Sequence, residues 1–181
     1  MYKDFFFPTP VYVKDIGSPE LNKHLEENIL NLSKTDPGMK KSNKNGWHSK
    51  NDIYNMPEYK ELVSLLFKMQ NEIFKEEGLE PSPFIGNMWA NINPKGGYNT
   101  SHIHSNSLWS GVYYVKTPNN CGKLGIKDPR TLSLMTLPRY DKPLKSYQWR
   151  QFYYEAVAGR CIMFPAWLVH FVEPNQSNDL R

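Results

Sequence analysis

Short apolar runs separated by glycine and proline dominate the second half of this 181-residue chain. Leu108 to Val115, Phe152 to Val157, Arg160 to Phe164 and Leu168 to Val172 are rich in β-branched and aromatic residues. Runs of this length bounded by turn residues predict β-strands, because helices need longer stretches with a period near 3.6. Regular short strands with turn signals favour a sandwich or a barrel.

Two amphipathic helices are predicted before these strands. The first begins after Ser18, a capping residue, has Pro19 at its first position, and runs to about Ser33. The second begins near Pro57 and carries a regular apolar face, with Gly78 as its stop signal. Both apolar stripes predict packing against a sheet.

The length suits one domain, with residues 1–83 supplying an N-terminal strand and two helices and residues 84–181 the barrel core. The net charge of +4 argues weakly for nucleic acid, because the lysines are interleaved with acids and no basic helix accompanies them. No apolar run approaches the ~20 residues of a membrane span, and no signal-peptide pattern is present. A cytoplasmic location is therefore expected.

The N-terminal segment Phe5 to Val13 has strand-forming residues, but Pro8 and Pro10 remove two backbone donors. It is therefore predicted to lie at a sheet edge. An edge strand offers a route to a homodimer by pairing with a second copy, which nothing else in the sequence requires.

Three of the five histidines are predicted to form a metal site. His102 and His104 are two residues apart, and on a strand this spacing places both imidazoles on one face. His170 lies far along the chain on another apolar, strand-like run. Imidazole is a common ligand of transition metals, so two close histidines and one remote histidine indicate a metal held inside a barrel. His48 has no partner nearby in sequence and is expected to be structural or exposed.

Taken together, these features resemble the iron(II)- and 2-oxoglutarate-dependent oxygenases, specifically a bacterial and viral subgroup with an N-terminal Phe-Pro-Thr-Pro segment. The residues that carry the resemblance are Phe7 to Pro10, His102 to His104 leading to Ser110 to Tyr114, Asp128 to Arg130, and Phe164 through His170 to Arg181. The resemblance implies a mainly β fold with flanking helices, the double-stranded β-helix or cupin-like jelly roll. It also implies Fe(II), 2-oxoglutarate, dioxygen and an unidentified substrate that is hydroxylated with release of succinate and CO2.

By this resemblance, His102 is the first iron ligand and His170 the distal histidine. Arg181 corresponds to the arginine that holds the far carboxylate of 2-oxoglutarate as a planar fork, which lysine would not reproduce. Further contacts to the co-substrate are expected from polar side chains on neighbouring strands, Tyr114, Asn91 and Asn93.

The sequence departs from the family pattern at two places. His104 stands where the family motif has Asp or Glu, which favours three neutral imidazoles as ligands over two histidines and water. The chain also stops at Arg181, where strand residues normally follow.

Two other functions fit the histidines. One is a three-histidine cupin-type metalloenzyme without 2-oxoglutarate, in which zinc would activate water. The other is a non-catalytic, ligand-binding jelly roll. Arg181 favours the oxygenase, because an enzyme without this co-substrate has no use for an arginine there.

Overall fold

A computed structural model of the chain describes residues 1–80, 84–136 and 138–181. The predicted division between the helical part and the barrel, at residue 83, lies outside the described residues. Within the described ranges, no helix combines the length and the apolar character needed to cross a membrane.

Two helices of equal length lie where the sequence predicts them. Helix α1 spans Pro19–Thr35, and the Ser18 hydroxyl accepts a hydrogen bond from the Leu21 amide at 3.1 Å, as expected of a capping serine. Helix α2 spans Lys60–Glu76 and follows a short 3-10 turn at Pro57–Tyr59. The proline therefore starts a turn that leads into the helix instead of starting the helix itself.

All the pairings between named strands are antiparallel. The strands are β1 Tyr12–Asp15, β2 Asn43–Lys44, β3 Trp47–His48, β4 Asn91–Ile92, β5 Tyr98–His102, β6 Trp109–Tyr113, β7 Leu124–Lys127, β8 Gln151–Tyr154, β9 Arg160–Pro165 and β10 His170–Val172. Within the described residues, one sheet has the order β1-β9-β6, a second has the order β2-β5-β10-β7-β8, and β3 pairs with β4.

Strand β9 shows how the two sides of its sheet are used. Ile162 and Phe164 belong to an apolar cluster with residues of the five-stranded sheet, such as Leu124. Cys161 and Met163, at the alternate positions, pack with apolar residues of α2. These four side chains are all buried, so one continuous apolar run packs into the barrel interior on one face and against the helices on the other.

Several strands are shorter than the sequence predicts. The stretch from Phe84 to Asn93 is a regular strand only at β4, and the N-terminal aromatic residues Phe5, Phe6 and Phe7 are exposed before β1 begins at Tyr12. Strand β1 is at a sheet edge, as expected of a segment whose prolines cannot donate to a ladder. The excursion between β7 and β8 contains 3-10 turns at Thr131–Leu134 and Ser146–Gln148, and its residue 137 lies outside the described ranges.

Candidate metal and co-substrate site

The three predicted histidines converge on one point. Each of His102, His104 and His170 offers a ring nitrogen, and these nitrogens all lie within 4.8 Å of one another. Antiparallel pairing of β5 with β10 sets His102 directly opposite His170. His104 lies just beyond the end of β5, and its backbone amide donates to the Ala166 carbonyl at 2.9 Å. The strand ladders therefore bring together residues that are 66 positions apart in sequence.

Backbone carbonyls orient two of the three rings. The Nδ1–H of His102 donates to the Thr100 carbonyl at 2.7 Å, and the Nδ1–H of His170 donates to the Leu168 carbonyl at 2.9 Å. With the proton on Nδ1, the Nε2 atom of each ring carries a free lone pair. This is the tautomer that metal-binding histidines adopt, and such a bond fixes the orientation of the ring.

The local environment favours the neutral form of His104 and His170. Burial and, to a smaller extent, the nearby His102 lower the pKa of His104 to about 4. Burial is also the main reason why the pKa of His170 is lowered to about 4. The Nε2 atoms of His104 and His170 are 3.2 Å apart, a separation that would be unfavourable between two imidazolium rings. Neutral rings with free lone pairs are the form in which histidine binds metals.

His104 is held by aromatic contacts. Its ring centroid is 5.4 Å from that of Trp89, at an interplanar angle of 43°. Trp89 also stacks on His48, with centroids 5.3 Å apart and planes only 10° from parallel. His48 is buried, with 3% of its surface exposed, so of the two expectations for this residue the structural one fits.

The other group of predicted residues surrounds Arg181. Its backbone N–H donates to the Asn93 carbonyl at 3.1 Å, and the Asn93 N–H donates to the Arg181 carbonyl at 2.8 Å. The guanidinium Nη1 donates to the carbonyls of Cys121 and Glu173, the latter at 3.0 Å. Nη2 has only a long contact, 3.5 Å, with the Gly97 carbonyl. One side of the guanidinium is thus anchored, and the described contacts give Nε no hydrogen-bond partner.

Each of the three side chains predicted to contact the co-substrate has a buried polar atom without a partner within the described part of the chain: Tyr114 Oη, Asn91 Oδ1 and Asn93 Oδ1. Burial raises the pKa of Tyr114, which the positive charge of Arg181 partly offsets, so the two side chains are close. A buried polar group without a partner costs about 1–3 kcal/mol. The Tyr114 hydroxyl can donate, so beside the half-buried Arg181 guanidinium it indicates a place for an anionic ligand, whereas the two amide oxygens need donors.

Gly122 gives the Arg181 side chain its room. The glycine has φ of +83°, and a Cβ atom built on it would lie 2.6 Å from the Glu173 carbonyl oxygen and 2.9 Å from Arg181 Nη1. A side chain at position 122 would therefore be strained and would displace the guanidinium. Sequence reasoning missed this role, because a lone glycine in a turn carries no sign of what it packs against.

One cavity of about 310 Å³ connects the two groups. The histidine triad, Arg181, Tyr114, Asn91 and Asn93 line it, and it extends beneath apolar side chains of α1 and α2 such as Leu25 and Leu66. Imidazoles fit Fe(II), and a guanidinium beside an unpartnered hydroxyl fits a carboxylate. The residues that are present therefore suit both the metal and the co-substrate that the resemblance implies.

Comparison with known structures identifies the fold. A prolyl-4-hydroxylase from Pseudomonas putida aligns with a TM-score of 0.67 and 13% identity over 93% of this chain and 86% of its own. The viral collagen prolyl hydroxylase of Paramecium Bursaria Chlorella virus-1 aligns with a TM-score of 0.61 and 14% identity, over 92% of this chain and 89% of its own. The non-heme alpha ketoglutarate dependent epimerase SnoN from nogalamycin biosynthesis aligns with a TM-score of 0.68 and 10% identity, over 96% and 73%. These similarities confirm the predicted jelly roll with flanking helices.

Comparison of sequences identifies the family. No curated protein matches the chain. Residues 87–181, just over half of the chain, match the family model described as "Putative 2OG-Fe(II) oxygenase". The matched range contains the three histidines, Tyr114 and Arg181. The resemblance drawn from the sequence is confirmed: this chain belongs to the 2-oxoglutarate- and Fe(II)-dependent oxygenase family.

Proposed function

We propose that this protein is a hydroxylase that oxidises a C–H bond of a substrate in the cavity described above. One observation carries the proposal: three imidazoles with converging nitrogens share a cavity with a half-anchored arginine and an unpartnered buried tyrosine hydroxyl. In this family, Fe(II) and dioxygen oxidatively decarboxylate 2-oxoglutarate to succinate and CO2, and one oxygen atom is transferred to the substrate.

His102, His104 and His170 are the proposed metal ligands. The carbonyls of Thr100 and Leu168 accept hydrogen bonds from Nδ1 of His102 and His170, which orients both rings and leaves Nε2 as the atom that would bind the metal. A triad of neutral imidazoles leaves the full charge of the metal to be balanced by the dianionic co-substrate. We therefore expect metal and 2-oxoglutarate to bind with strong mutual dependence.

Arg181 is the proposed partner of the far carboxylate of 2-oxoglutarate, with Tyr114, Asn91 and Asn93 as further polar contacts. The anchored Nη1 fixes the plane of the guanidinium, so the rest of the fork is oriented before the ligand arrives. Burial strengthens this interaction, because charges attract more strongly where water is excluded.

Turnover of 2-oxoglutarate to succinate tests this proposal directly. The protein is reconstituted with Fe(II) without oxygen, exposed to air with 2-oxoglutarate, and succinate is quantified, for wild type, His102→Ala and His24→Ala. His24 is exposed on α1, so its replacement controls for the loss of any histidine. We expect His102→Ala to lose turnover and His24→Ala to retain it.

Equal turnover in all three proteins would contradict the ligand assignment. Bound Fe(II) in wild type without succinate formation would instead support the cupin-type metalloenzyme. A mass-spectrometric screen of added substrates tests hydroxylation itself, since a hydroxylated product is heavier by one oxygen atom.

A further inference from the structure

We propose that Trp89 and His48 are positioning residues, which set the ring orientation of His104 and thereby the geometry of the third metal ligand. The inference rests on the proposed function only in taking His104 as a ligand. It assigns a role to the stacked rings of Trp89 and His48, which belong neither to the histidine triad nor to the proposed co-substrate contacts.

His104 differs from the other two histidines in how its ring is held. His102 and His170 each donate Nδ1–H to a backbone carbonyl two residues earlier. Within the described contacts, the only hydrogen-bond-length neighbour of the His104 ring is the Nε2 atom of His170, at 3.2 Å. Three rings surround it, with centroids at 4.9 Å for His102, 5.0 Å for His170 and 5.4 Å for Trp89. Trp89 is the one of the three outside the proposed ligand set, so it is the group placed to restrict rotation of His104 without itself binding the metal.

Trp89 is in turn fixed by His48. The two rings are nearly parallel, and the Nδ1–H of His48 donates to the Ser49 carbonyl at 2.6 Å, which fixes the imidazole. Ser49 is fully buried, and its amide donates to the Ala90 carbonyl while its hydroxyl accepts from the Ala90 amide, both at 3.0 Å. Ser49 follows His48 and Ala90 follows Trp89, so these two hydrogen bonds hold together the backbone segments that carry the stacked rings.

His48 contacts Trp89, and Trp89 contacts His104, the proposed ligand. His48 is outside the group of three histidines whose nitrogens converge among the described residues. This pair of ring contacts joins His48 to the proposed ligand. A ligand ring that turns about its side-chain bonds aims its lone pair away from the ion. Groups that orient a ligand in this way typically change metal affinity 10- to 100-fold when they are removed.

Co(II) binding is the most direct test, because the visible absorption of Co(II) reports the number and arrangement of its ligands. Dissociation constants and spectra are measured for Trp89→Leu, Trp89→Phe, His48→Leu and His48→Phe. We expect both leucine variants to bind Co(II) about tenfold more weakly with an altered spectrum. Both phenylalanine variants keep a planar ring in the stack and should stay close to wild type.

Trp47→Leu is the matched control. Trp47 precedes His48 on β3, but its indole N–H donates to the Asp36 carbonyl and its ring packs with the apolar cluster beneath α1. We expect this variant to unfold at a lower temperature and to keep the Co(II) spectrum and affinity of wild type. All measurements are made well below the unfolding temperature of each variant.

The outcomes separate this proposal from the function on which it rests. A Trp89→Leu protein with wild-type affinity and spectrum would overturn the positioning role, as would an equal change in Trp47→Leu. Loss of binding in His48→Phe would contradict positioning and make His48 a direct ligand. Wild type that binds Co(II) but forms no succinate overturns the proposed reaction alone, whereas wild type that binds neither Co(II) nor Fe(II) overturns both.

Discussion

The two ends of the cavity, the histidine end at the triad and the arginine end at Arg181 and Tyr114, hold their side chains in different ways. At the histidine end, the rings of His102 and His170 donate Nδ1–H to backbone carbonyls, and the ring of His104 packs against the indole of Trp89. Each ring is therefore restrained before any metal arrives. At the arginine end, the guanidinium is anchored on one side only, and the buried hydroxyl of Tyr114 lacks a partner within the described residues.

This difference indicates how each end depends on its ligand. The histidine end is oriented by the protein itself, so removal of the metal should leave its structure largely intact. The arginine end contains the buried hydroxyl of Tyr114, whose unfavourable burial is offset when a ligand supplies an acceptor. We therefore expect 2-oxoglutarate to stabilise the fold through the arginine end, and the following predictions test this contrast.

The largest effect is expected from His104→Ala, which removes one proposed ligand. Loss of a ligand should cost more than the 10- to 100-fold typical of outer groups, so the Fe(II) dissociation constant should rise about 100-fold or more. The unfolding temperature without metal should change little, because the ring is only half-buried. Both quantities are measurable by metal titration and thermal unfolding.

His104→Asp sharpens the same test. Two histidines and one carboxylate form the usual facial triad of iron oxygenases, so aspartate should restore much of the Fe(II) affinity lost with alanine. An alanine variant with unchanged affinity would instead show that water, rather than His104, fills the third position.

An intermediate effect is expected from Arg181→Lys at the other end. Lysine keeps the charge but loses the planar fork, and a hydrogen bond to a charged group contributes about 1.5–3 kcal/mol, so the KM for 2-oxoglutarate should rise about 10- to 100-fold. Fe(II) affinity measured without co-substrate should stay within a factor of a few.

Arg160→Lys is the matched control for this substitution. Arg160 makes a similar two-point contact, 2.7 and 3.0 Å, with the exposed carboxylate of Asp15. Its replacement should leave the KM unchanged. An equal rise in both variants, or a large loss of Fe(II) affinity in Arg181→Lys, would remove the distinction between the two ends.

The smallest effect is expected from two adjacent tyrosines, whose replacement should change the free energy of unfolding in opposite directions. Tyr114→Phe removes a buried hydroxyl without a partner, so the ligand-free protein should be stabilised by about 1 kcal/mol while 2-oxoglutarate stabilises it less. Tyr113→Phe removes a hydroxyl that donates to the Asn22 side chain, so it should destabilise by about 1 kcal/mol. Thermal unfolding with and without 2-oxoglutarate measures both changes, and destabilisation by Tyr114→Phe would contradict the ligand role of its hydroxyl.

The sequence predicted the parts of the site that depend on local periodicity. His102 and His104 share a face because side chains alternate along an extended chain, and Tyr114 packs into the barrel core with Val112 for the same reason. His170 was proposed as the remote ligand from its apolar, strand-like run, although periodicity alone does not reveal which distant strands pair. The role of Arg181 came from resemblance to a family.

The parts that sequence reasoning missed depend on pairing between very short elements. The Trp89–His48 stack exists because β3 and β4, two residues each, pair across more than 40 positions. Strands of this length leave no periodic signal, and the surrounding segment is polar. For the same reason, the strand predicted from Phe84 to Asn93 has regular pairing only near its end.

Gly122 connects a turn of the chain to the arginine proposed to hold the co-substrate. Because its backbone conformation and its contact with Arg181 leave no space for a side chain, this turn and the guanidinium must change together. We therefore expect substitutions in the turn to alter the preference among dicarboxylic acids of different length. Libraries that seek an enzyme for an artificial diacid should therefore vary this turn together with the chamber lining.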